Sequence, residues 1–288
     1  MNAPATIVLG TRGSPLALAQ AELARAELAR VFPGAEIRIR KFTTQGDRRL
    51  EWSLEKTGGK GLFTSELEEA LLAGEIDLAV HSGKDLPTEM RAGLALAGCL
   101  KRARANDVLV VREGVSVPER VATGSPRRRA QAAKIFPEAA FSELRGNVST
   151  RLRKIADGEA DATFLAAAGL ARLGVSAFPG LIFREMPLEL IVPAAAQAAI
   201  ALQCREADAA KFAAAGDAET THAVNVERAF LSALGEGCHT AFAAHFDGGR
   251  ILLFREDVGF VARRTAFPRE PDALARRVSQ ILSEIFSA

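Results

Sequence analysis

Arg12, Arg127, Arg128, Arg145 and Arg151 each stand among the Gly, Ser, Thr and Asn residues of tight turns and helix starts. An arginine in such a place presents a rigid fork to a carboxylate or a phosphate. A helix start adds unpaired N–H groups and the favourable end of the helix dipole. The set reads as a site for several anions rather than as a solvated basic face. Cys238, in Gly-Glu-Gly-Cys-His, adds a sulfur whose preceding glycines let a ligand approach closely. A lone cysteine is most often a small buried hydrophobe, and Cys99 and Cys204, in apolar stretches, read that way. No His/Asn pair is arranged as in a thiol protease, so amide hydrolysis carries little weight.

Two further segments belong with the arginines. His81-Ser82-Gly83-Lys84-Asp85 follows an apolar run, where the loops of open α/β sheets hold ligands. Asp85 reads either as a turn aspartate or as a carboxylate that holds an N–H donor and steadies a developing cation. His81 reads equally as a packed histidine. Residues 43–63 form a glycine-punctuated, charged stretch of a length that is usually functional in a compact domain. Lys56 and Lys60 lie in it, ready to close over an anionic ligand. Its Gly-Gly-Lys-Gly string lacks the spacing and the final Lys-Ser/Thr of a nucleotide phosphate loop.

Composition excludes several classes. The chain has 288 residues, with 37 Lys and Arg against 35 Asp and Glu. A net charge of +2 gives no global field for nucleic acid, so anion binding must come from local clustering. Three widely spaced cysteines make no disulfide framework, and four histidines show no zinc spacing, so no metal is expected. The N-terminal stretch lacks a secretory pattern and no apolar run approaches a membrane span. The expectation is a cytoplasmic protein without membrane or nucleic-acid partners.

The elements that position these residues repeat. Ile7–Leu9 reads as a strand, Gly10–Ser14 as a turn, and 15–31 as a helix with Leu16, Ala19, Leu23, Leu28 and Val31 on its apolar face. Ser14 can cap that helix, with Pro15 at its first position. A strand at 36–42, a helix at 64–73 and a strand at 76–80 follow. Thr-Arg-Gly-Ser-Pro-Leu-Ala-Leu-Ala-Gln-Ala at 11–21 is echoed by Thr-Gly-Ser-Pro-Arg-Arg-Arg-Ala-Gln-Ala at 123–132, and Gly-Glu-Ile-Asp at 74–77 by Gly-Glu-Ala-Asp at 158–161. The second unit reads strand near 121–123, helix 126–135, strand 139–144, helix 148–156 and strand 161–165. Two α/β lobes are therefore expected, with crossings at 100–106 and near Val192-Pro193. Domain 1 is expected to hold 1–99 and the returning segment 194–218, and domain 2 to hold 100–193. A small α+β domain, 219–288, would carry the cysteine, with a helix at 220–234, strands near 241–245 and 250–254, and a last helix at 271–286.

With these stations in place, the chain closely resembles the porphobilinogen deaminase (hydroxymethylbilane synthase) family. The resemblance spans residues 7 to 245, through TRGSPLALAQ, TTQGD, GGKGLF, VHSGKDLP, TGSPRRR, LRGNVSTRL, AAAGLARLG and GEGCH in order. It implies two lobes like those of type II periplasmic binding proteins, plus a small α+β C-terminal domain, in a monomer. It also implies a transferase of tetrapyrrole biosynthesis, which joins four porphobilinogen molecules to a covalently bound dipyrromethane, losing four ammonia, and releases hydroxymethylbilane by hydrolysis. By the same resemblance Cys238 holds the dipyrromethane. Asp85 would be the central carboxylate, contacting pyrrole nitrogens and steadying the azafulvene-like cation, with Lys84 and Arg12 beside it. Ser14, Ser82, Thr123, Ser125, Arg127, Arg128, Arg145 and Gln197 would contact the cofactor. Arg12, Arg151, Arg172, Lys56, Lys60 and Phe63 would face porphobilinogen and the growing polypyrrole chain.

The sequence departs from the family pattern at four places. Gly124 and Pro126 stand where serine and leucine are usual. Ala196 and Ala198 replace glycines of a PAVGQGA-like segment. His239 follows the cysteine, and the tail after 245 matches poorly. Alanine accepts ordinary helical or extended backbone, so the glycine losses matter only where positive φ is required. A non-catalytic two-lobed binding protein for an acidic ligand is the alternative from a different class.

Overall fold

The structure is a computed structural model that describes residues 6–44, 64–235 and 241–286. Lys56, Lys60 and Phe63 fall in the 45–63 stretch and Cys238 and His239 in 236–240, so these five lie outside the described residues. Two five-stranded sheets and one three-stranded sheet organise the chain. The first runs β2 (Glu36–Phe42), β1 (Thr6–Arg12), β3 (Leu78–Ser82), β10 (Ile200–Arg205), β4 (Leu94–Cys99). The second runs β7 (Ala140–Ser142), β6 (Arg120–Ala122), β8 (Ala162–Ala166), β5 (Asp107–Arg112), β9 (Leu181–Glu185). In each, the first three strands are parallel and the last two join antiparallel. The patterns superpose once β10 is matched to β5, so each sheet's fourth strand lies beyond a crossing from its neighbours in sequence.

The repeated motifs have a physical basis. Asp77, of the first Gly-Glu-x-Asp, accepts a hydrogen bond at 2.8 Å from the Val8 N–H. Asp161, its counterpart, accepts from the Arg120 N–H at 2.9 Å. Each aspartate thereby ties the start of one parallel strand to the start of the next. The Ser-Pro pairs open α1 (Pro15–Val31) and α3 (Pro126–Ile135), and among the described residues the helix between them is α2 (Ser65–Leu72). Ser14 Oγ accepts from the Ala17 N–H at 3.3 Å, Ser125 Oγ accepts from the Arg128 N–H at 3.4 Å, and proline fits the first turn of each helix.

The expected apolar face of α1 is corrected by the structure. Leu28 is buried as expected, but Leu23 is 49% exposed, and the helix also buries Ala17, Gln20, Ala21 and Ala24. Small alanines let the helix lie close to the sheet, which turns Gln20 inward. In α3 the equivalent Gln131 is also buried and brackets Val192, donating to its carbonyl at 3.1 Å and accepting from its N–H at 2.7 Å.

After α4 (Val148–Ala156), α5 (Ala167–Arg172) and the short α6 (Ala209–Phe212), α7 (Ala218–Ala233) leads to a β meander. Its strands are β11 (Phe242–Phe246), β12 (Arg250–Arg255) and β13 (Gly259–Arg264), closed by α8 (Pro271–Phe286). Phe230, Phe246 and Phe267 meet edge to face beneath α7 and α8. The other face of the sheet, through Ala243, Leu252 and Phe254, packs on Ala130 and Val192 of the second lobe. No helix among the described residues is long and apolar enough to cross a membrane.

The three units meet at one buried carboxylate. Glu227 of α7 is fully buried and accepts from Arg102 Nη1 and Nη2 at 2.6 and 3.0 Å. It also accepts from the Ala196 N–H at 2.6 Å and the Phe246 N–H at 2.8 Å, while His245 Nδ1 lies 3.2 Å away. Arg102 lies in the first crossing and Ala196 in the second. Around that contact the chain takes two turns that L-residues rarely adopt, with φ of 59° at Ala196 and 68° at Ala198. The glycine-to-alanine departures thus fall on positions with left-handed backbone, which is the condition under which these losses matter. The Ala196 N–H bond to Glu227, with Arg102 Nε on the Gln197 carbonyl at 2.8 Å and Arg172 Nη2 on the Ala198 carbonyl at 2.5 Å, holds this conformation in place.

Two predictions follow from the crossing. Ala196→Gly should leave the free energy of urea unfolding within about 1 kcal/mol of the parent, since relieved φ strain and the lost methyl nearly offset. Ala196→Val should lower it by roughly 2–4 kcal/mol, because a β-branched residue is both strained and overpacked there. Equal effects of the two changes would show that φ does not govern this site. Burial opposes ionisation of Glu227, but Arg102 and His245 outweigh it and its carboxyl is lowered to about 2. Its contribution is fully present above the ordinary value near 4.5 and is lost as pH falls through about 2. Glu227→Gln should therefore cost about 3–5 kcal/mol at pH 7, with a smaller gap to the parent at pH 3, read by urea unfolding at both values.

Candidate active site

The sequence-predicted residues gather at the carboxyl ends of the parallel strands of both large sheets. On the first lobe, β1 ends at Arg12, and β3 ends at Ser82 and runs into a 3-10 turn, Gly83–Asp85. Arg12, Ser14, Gln20, His81, Ser82 and Asp85 line one small cavity there. Ser82 Oγ sits 2.8 Å from Gln20 Nε2 and 3.1 Å from Gln20 Oε1. Asp85 is exposed, and its carboxylate makes no hydrogen bond among the described residues. His81 is buried with Nε2 3.0 Å from Gln203 Oε1, and burial first, then Arg12, lowers its pKa to about 4. It is a neutral ring at working pH. The sequence left it as a packed histidine satisfied by backbone; it is packed, but a side chain satisfies it.

Gly83 has the closest surroundings of the turn. A Cβ built on it would lie 3.0 Å from both the methyl and the carbonyl oxygen of Ala196. The methyl that Ala196 carries is therefore accommodated by the missing side chain at 83, and the turn that presents Lys84 and Asp85 rests on the second crossing. Its Gly83 N–H donates to the Ala199 carbonyl at 2.9 Å.

On the second lobe, the loops after β6, β7 and β8 supply cations. Thr123 is buried, and its Oγ1 accepts from the Ser125 N–H at 3.2 Å. Arg127 and Arg128, on the first turn of α3, are 5% and 6% exposed. Both are paired with Asp107 at 2.7 Å, and Arg127 Nη1 donates to the Val192 carbonyl at 2.6 Å. Arg145 follows β7 and lies 3.6 Å from Glu143 through Nε. Asn147 caps α4, and Arg151 on its first turn donates through Nε to the Gly146 carbonyl at 2.8 Å. A Cβ on Gly124 would meet only ordinary contacts, the nearest being the Leu144 carbonyl at 3.5 Å, so the missing serine there reflects no steric demand. Pro126 occupies the first position of α3, where it completes the helix start.

The electrostatics of the cleft are those of an anion site. Burial and then the charges of Arg128 and Arg145 lower Arg151 to about 10, while Asp85 pulls the other way. Arg151 therefore senses two arginines of its own lobe and the carboxylate of the first. Lys84 is lowered to about 8 by burial and then by Arg128, with Asp85 and Asp107 opposing. Lys84 Nζ lies 3.4 Å from Oε1 of Gln197, which is fully buried. Arg172 donates through Nη2 to the Ala198 carbonyl at 2.5 Å, which engages that nitrogen with the second crossing. Arg128 Nε and Arg145 Nη2 are buried donors with no hydrogen-bond acceptor among the described residues. Carboxylate oxygens entering between the lobes would satisfy both.

Sequence reasoning missed Gln20, Asp107, Arg102 and Glu227. The repeated Gln at 20 and 131 was a visible signal for the first. The others are single charges in stretches with no motif. Among the described residues no group of acidic, histidine or cysteine side chains is suited to hold a metal ion.

Comparison with known proteins gives a consistent family. The model for "Porphobilinogen deaminase, dipyromethane cofactor binding domain" matches residues 7–213. A porphobilinogen deaminase of Sphingopyxis alaskensis is 47% identical over 250 residues, covering 82% of this chain and 78% of that protein. That of Geobacter metallireducens is 42% identical over 269 residues, covering 90% and 82%. Among solved structures, the periplasmic VFT2 domain of Bordetella pertussis BvgS aligns at 17% identity with a TM-score of 0.44, over 73% of this chain and 86% of that one.

The cleft's pH behaviour is open to test. Lys84 loses its charge as pH rises through about 8, so a polycarboxylate such as citrate should bind more weakly above that pH. Lys84→Met should lower affinity at pH 7 and flatten the loss between pH 7 and 9 in isothermal titration. An unchanged pH dependence in that variant would assign the effect to another group.

Proposed function

The chain belongs to the porphobilinogen deaminase family, and on that footing we propose the working of its site. The enzyme is a hydroxymethylbilane synthase. It condenses four molecules of porphobilinogen stepwise onto a covalently bound dipyrromethane with loss of four ammonia, then releases hydroxymethylbilane by hydrolysis. The alternative of a non-catalytic binding protein is not favoured by relatives of this identity over most of the chain. The single observation that carries the reading of the site is the cluster of Arg128, Arg145 and Arg151 on one lobe, within electrostatic reach of Asp85 on the other.

The residues present fit a carboxylated pyrrole group. Arg128 Nε and Arg145 Nη2 are buried donors that lack acceptors, and the acetate and propionate arms of a dipyrromethane supply them. Cys238 is assigned as its covalent anchor, with Ser14, Ser82, Lys84, Thr123, Ser125, Arg128, Arg145 and Gln197 around it. When bound, the group supplies the free pyrrole carbon on which the product is built. Arg12, Arg145 and Arg151 hold substrate carboxylates, and their guanidinium groups keep that charge across the working pH range. Lys56, Lys60 and Phe63 are assigned to the substrate side.

Asp85 stands where positive charge develops when ammonia leaves porphobilinogen. A fixed carboxylate there stabilises that charge without reorganising at the moment of reaction, and can accept the proton released when the new carbon–carbon bond forms. His81, neutral and turned to Gln203, adds no opposing cation at this place. Arg127 is spent on Asp107 and the Val192 carbonyl and supports its neighbour from behind. We assign 1–99 and 194–218 to the first lobe, 100–193 to the second, and 219–288 to the domain that bears Cys238. The reading also takes the enzyme as a cytoplasmic monomer.

Two measurements test it. The purified protein should carry the added mass of two linked pyrrole units on the peptide containing Cys238. An unmodified Cys238 after incubation with porphobilinogen would remove the assignment. Asp85→Asn should keep the arginine cluster but lower kcat by about 100-fold or more in an ammonia-release assay. Near-normal turnover would take the central role away from Asp85.

A further inference from the structure

We propose that Asp107 is a positioning residue, an internal carboxylate that sorts the two arginines of α3 into one support and one ligand-facing group and, through Gln197, sets Lys84 on the opposite lobe. The inference rests on the reading of the cleft given above, and concerns a residue that none of the motifs contains.

Asp107 is the first residue of β5, directly after the first crossing, and is fully buried. Its Oδ2 accepts from Arg127 Nη2 at 2.7 Å. Its Oδ1 accepts from Arg128 Nη2 at 2.7 Å and from Gln197 Nε2 at 3.0 Å. Gln197 Nε2 also donates to the Ala105 carbonyl at 2.7 Å, which fixes the orientation of its amide. The other end of that amide, Oε1, accepts from Lys84 Nζ at 3.4 Å. A single line of contacts thus runs from the second lobe, through the second crossing, to the turn that presents Asp85.

The arrangement divides the work of the two arginines. Both terminal nitrogens of Arg127 are engaged inside the protein, one by Asp107 and one by the Val192 carbonyl. Arg128 is held at one nitrogen only, and its Nε remains a buried donor without an acceptor among the described residues. A carboxylate that grips one edge of a guanidinium restrains its plane and leaves the other edge aimed. Two arginines and one aspartate leave a net positive charge, so the cleft keeps its attraction for a ligand carboxylate.

The charge of Asp107 also reaches Lys84. Among the described residues, charged groups that act on that amine include Arg127 and Arg128 on α3, which lower its pKa, and Asp85 and Asp107, which raise it. Loss of the Asp107 charge therefore shifts the titration of Lys84 to lower pH. Charge alone accounts for that shift, so the positioning role is read in KM and in Gln197→Leu, which leaves the Asp107 charge in place.

The test uses the full chain with Cys238→Ser, which cannot be loaded, and follows the Lys84 amine by NMR from pH 6 to 10. Asp107→Asn should lower the titration midpoint by about half a unit or more. In the loadable chain, Asp107→Asn should raise KM for porphobilinogen roughly tenfold, with a smaller change in kcat. Gln197→Leu leaves both arginines paired and introduces no unpaired charge; it should raise KM in the same direction. A parent chain that turned over no porphobilinogen would sink the reading of the function, while the Lys84 titration in Gln197→Leu would still decide this inference. An unmoved Lys84 titration in a folded Asp107→Asn chain overturns it. Where Asp107→Asn does not fold, unchanged KM and unchanged Lys84 titration in Gln197→Leu overturn it equally.

Discussion

Like charges confined in one cleft repel, and that repulsion is the constraint around which this molecule is built. Burial and then the charges of Arg128 and Arg145 weaken the hold of Arg151 on its proton, despite the strength with which guanidinium retains it. Water, which would screen them on a surface, is excluded from Arg128 and only partly from Arg145 and Arg151. The fold answers with two kinds of carboxylate. Asp107 is placed behind the arginines, fully buried and fully hydrogen-bonded, where it lowers the cost of holding them in place. Asp85 is placed in front, exposed and unpaired among the described residues, on the other wall of the cleft. The first makes the cation cluster tolerable to the protein. The second leaves a negative centre available for chemistry.

The crossings are held by the same principle applied at the back of the cleft. Glu227 gathers an arginine from the first crossing, a backbone N–H from the second and another from β11. Removing one partner of so enclosed a group leaves the rest without compensation. Strain is concentrated beside it, at Ala196 and Ala198, whose left-handed backbone is held by bonds from Glu227, Arg102 and Arg172. The segment that carries this strain also carries Gln197 and abuts Gly83. Backbone geometry at the crossing is thus transmitted to the position of Lys84 and Asp85 by contact alone.

Much of this was legible in the residues. Capped helix starts at Ser14-Pro15 and Ser125-Pro126 gave helices whose bounds, 15–31 and 126–135, the structure reproduces. The echo of Asp77 in Asp161 pointed to duplicated sheets because both residues perform the same backbone task. Strands β4, β5, β9 and β13 were not anticipated. Leu94–Cys99 and Asp107–Arg112 are short apolar runs marked only by Gly93 before the first and Gly114 after the second, and their pairing depends on partners far along the chain. β9 is an edge strand with exposed Ile182. In the site, the arginines were readable from their turn settings, but their division of labour was not. Whether an arginine faces a ligand or an aspartate depends on what the opposite strand brings to it, and Asp107 sits in no motif. The apolar face of α1 misled for a related reason: alanines, weak in any hydrophobic pattern, decide which side lies against the sheet.

The exchange of β5 and β10 between otherwise matching sheets fixes an order of assembly. All five strands of the second sheet lie between residues 107 and 185, so that sheet can close once this stretch has left the ribosome. The first sheet cannot. β4 pairs only with β10, and β10 separates it from β3, so the first-synthesised strands wait until residue 205 is available. During that wait β3 presents an open edge next to the turn that bears Asp85, and long-range pairing of this kind is slow. The lobe that is made first is thus completed last, and the cleft comes into being only when the second crossing has brought β10, with Gln197 just ahead of it, into position.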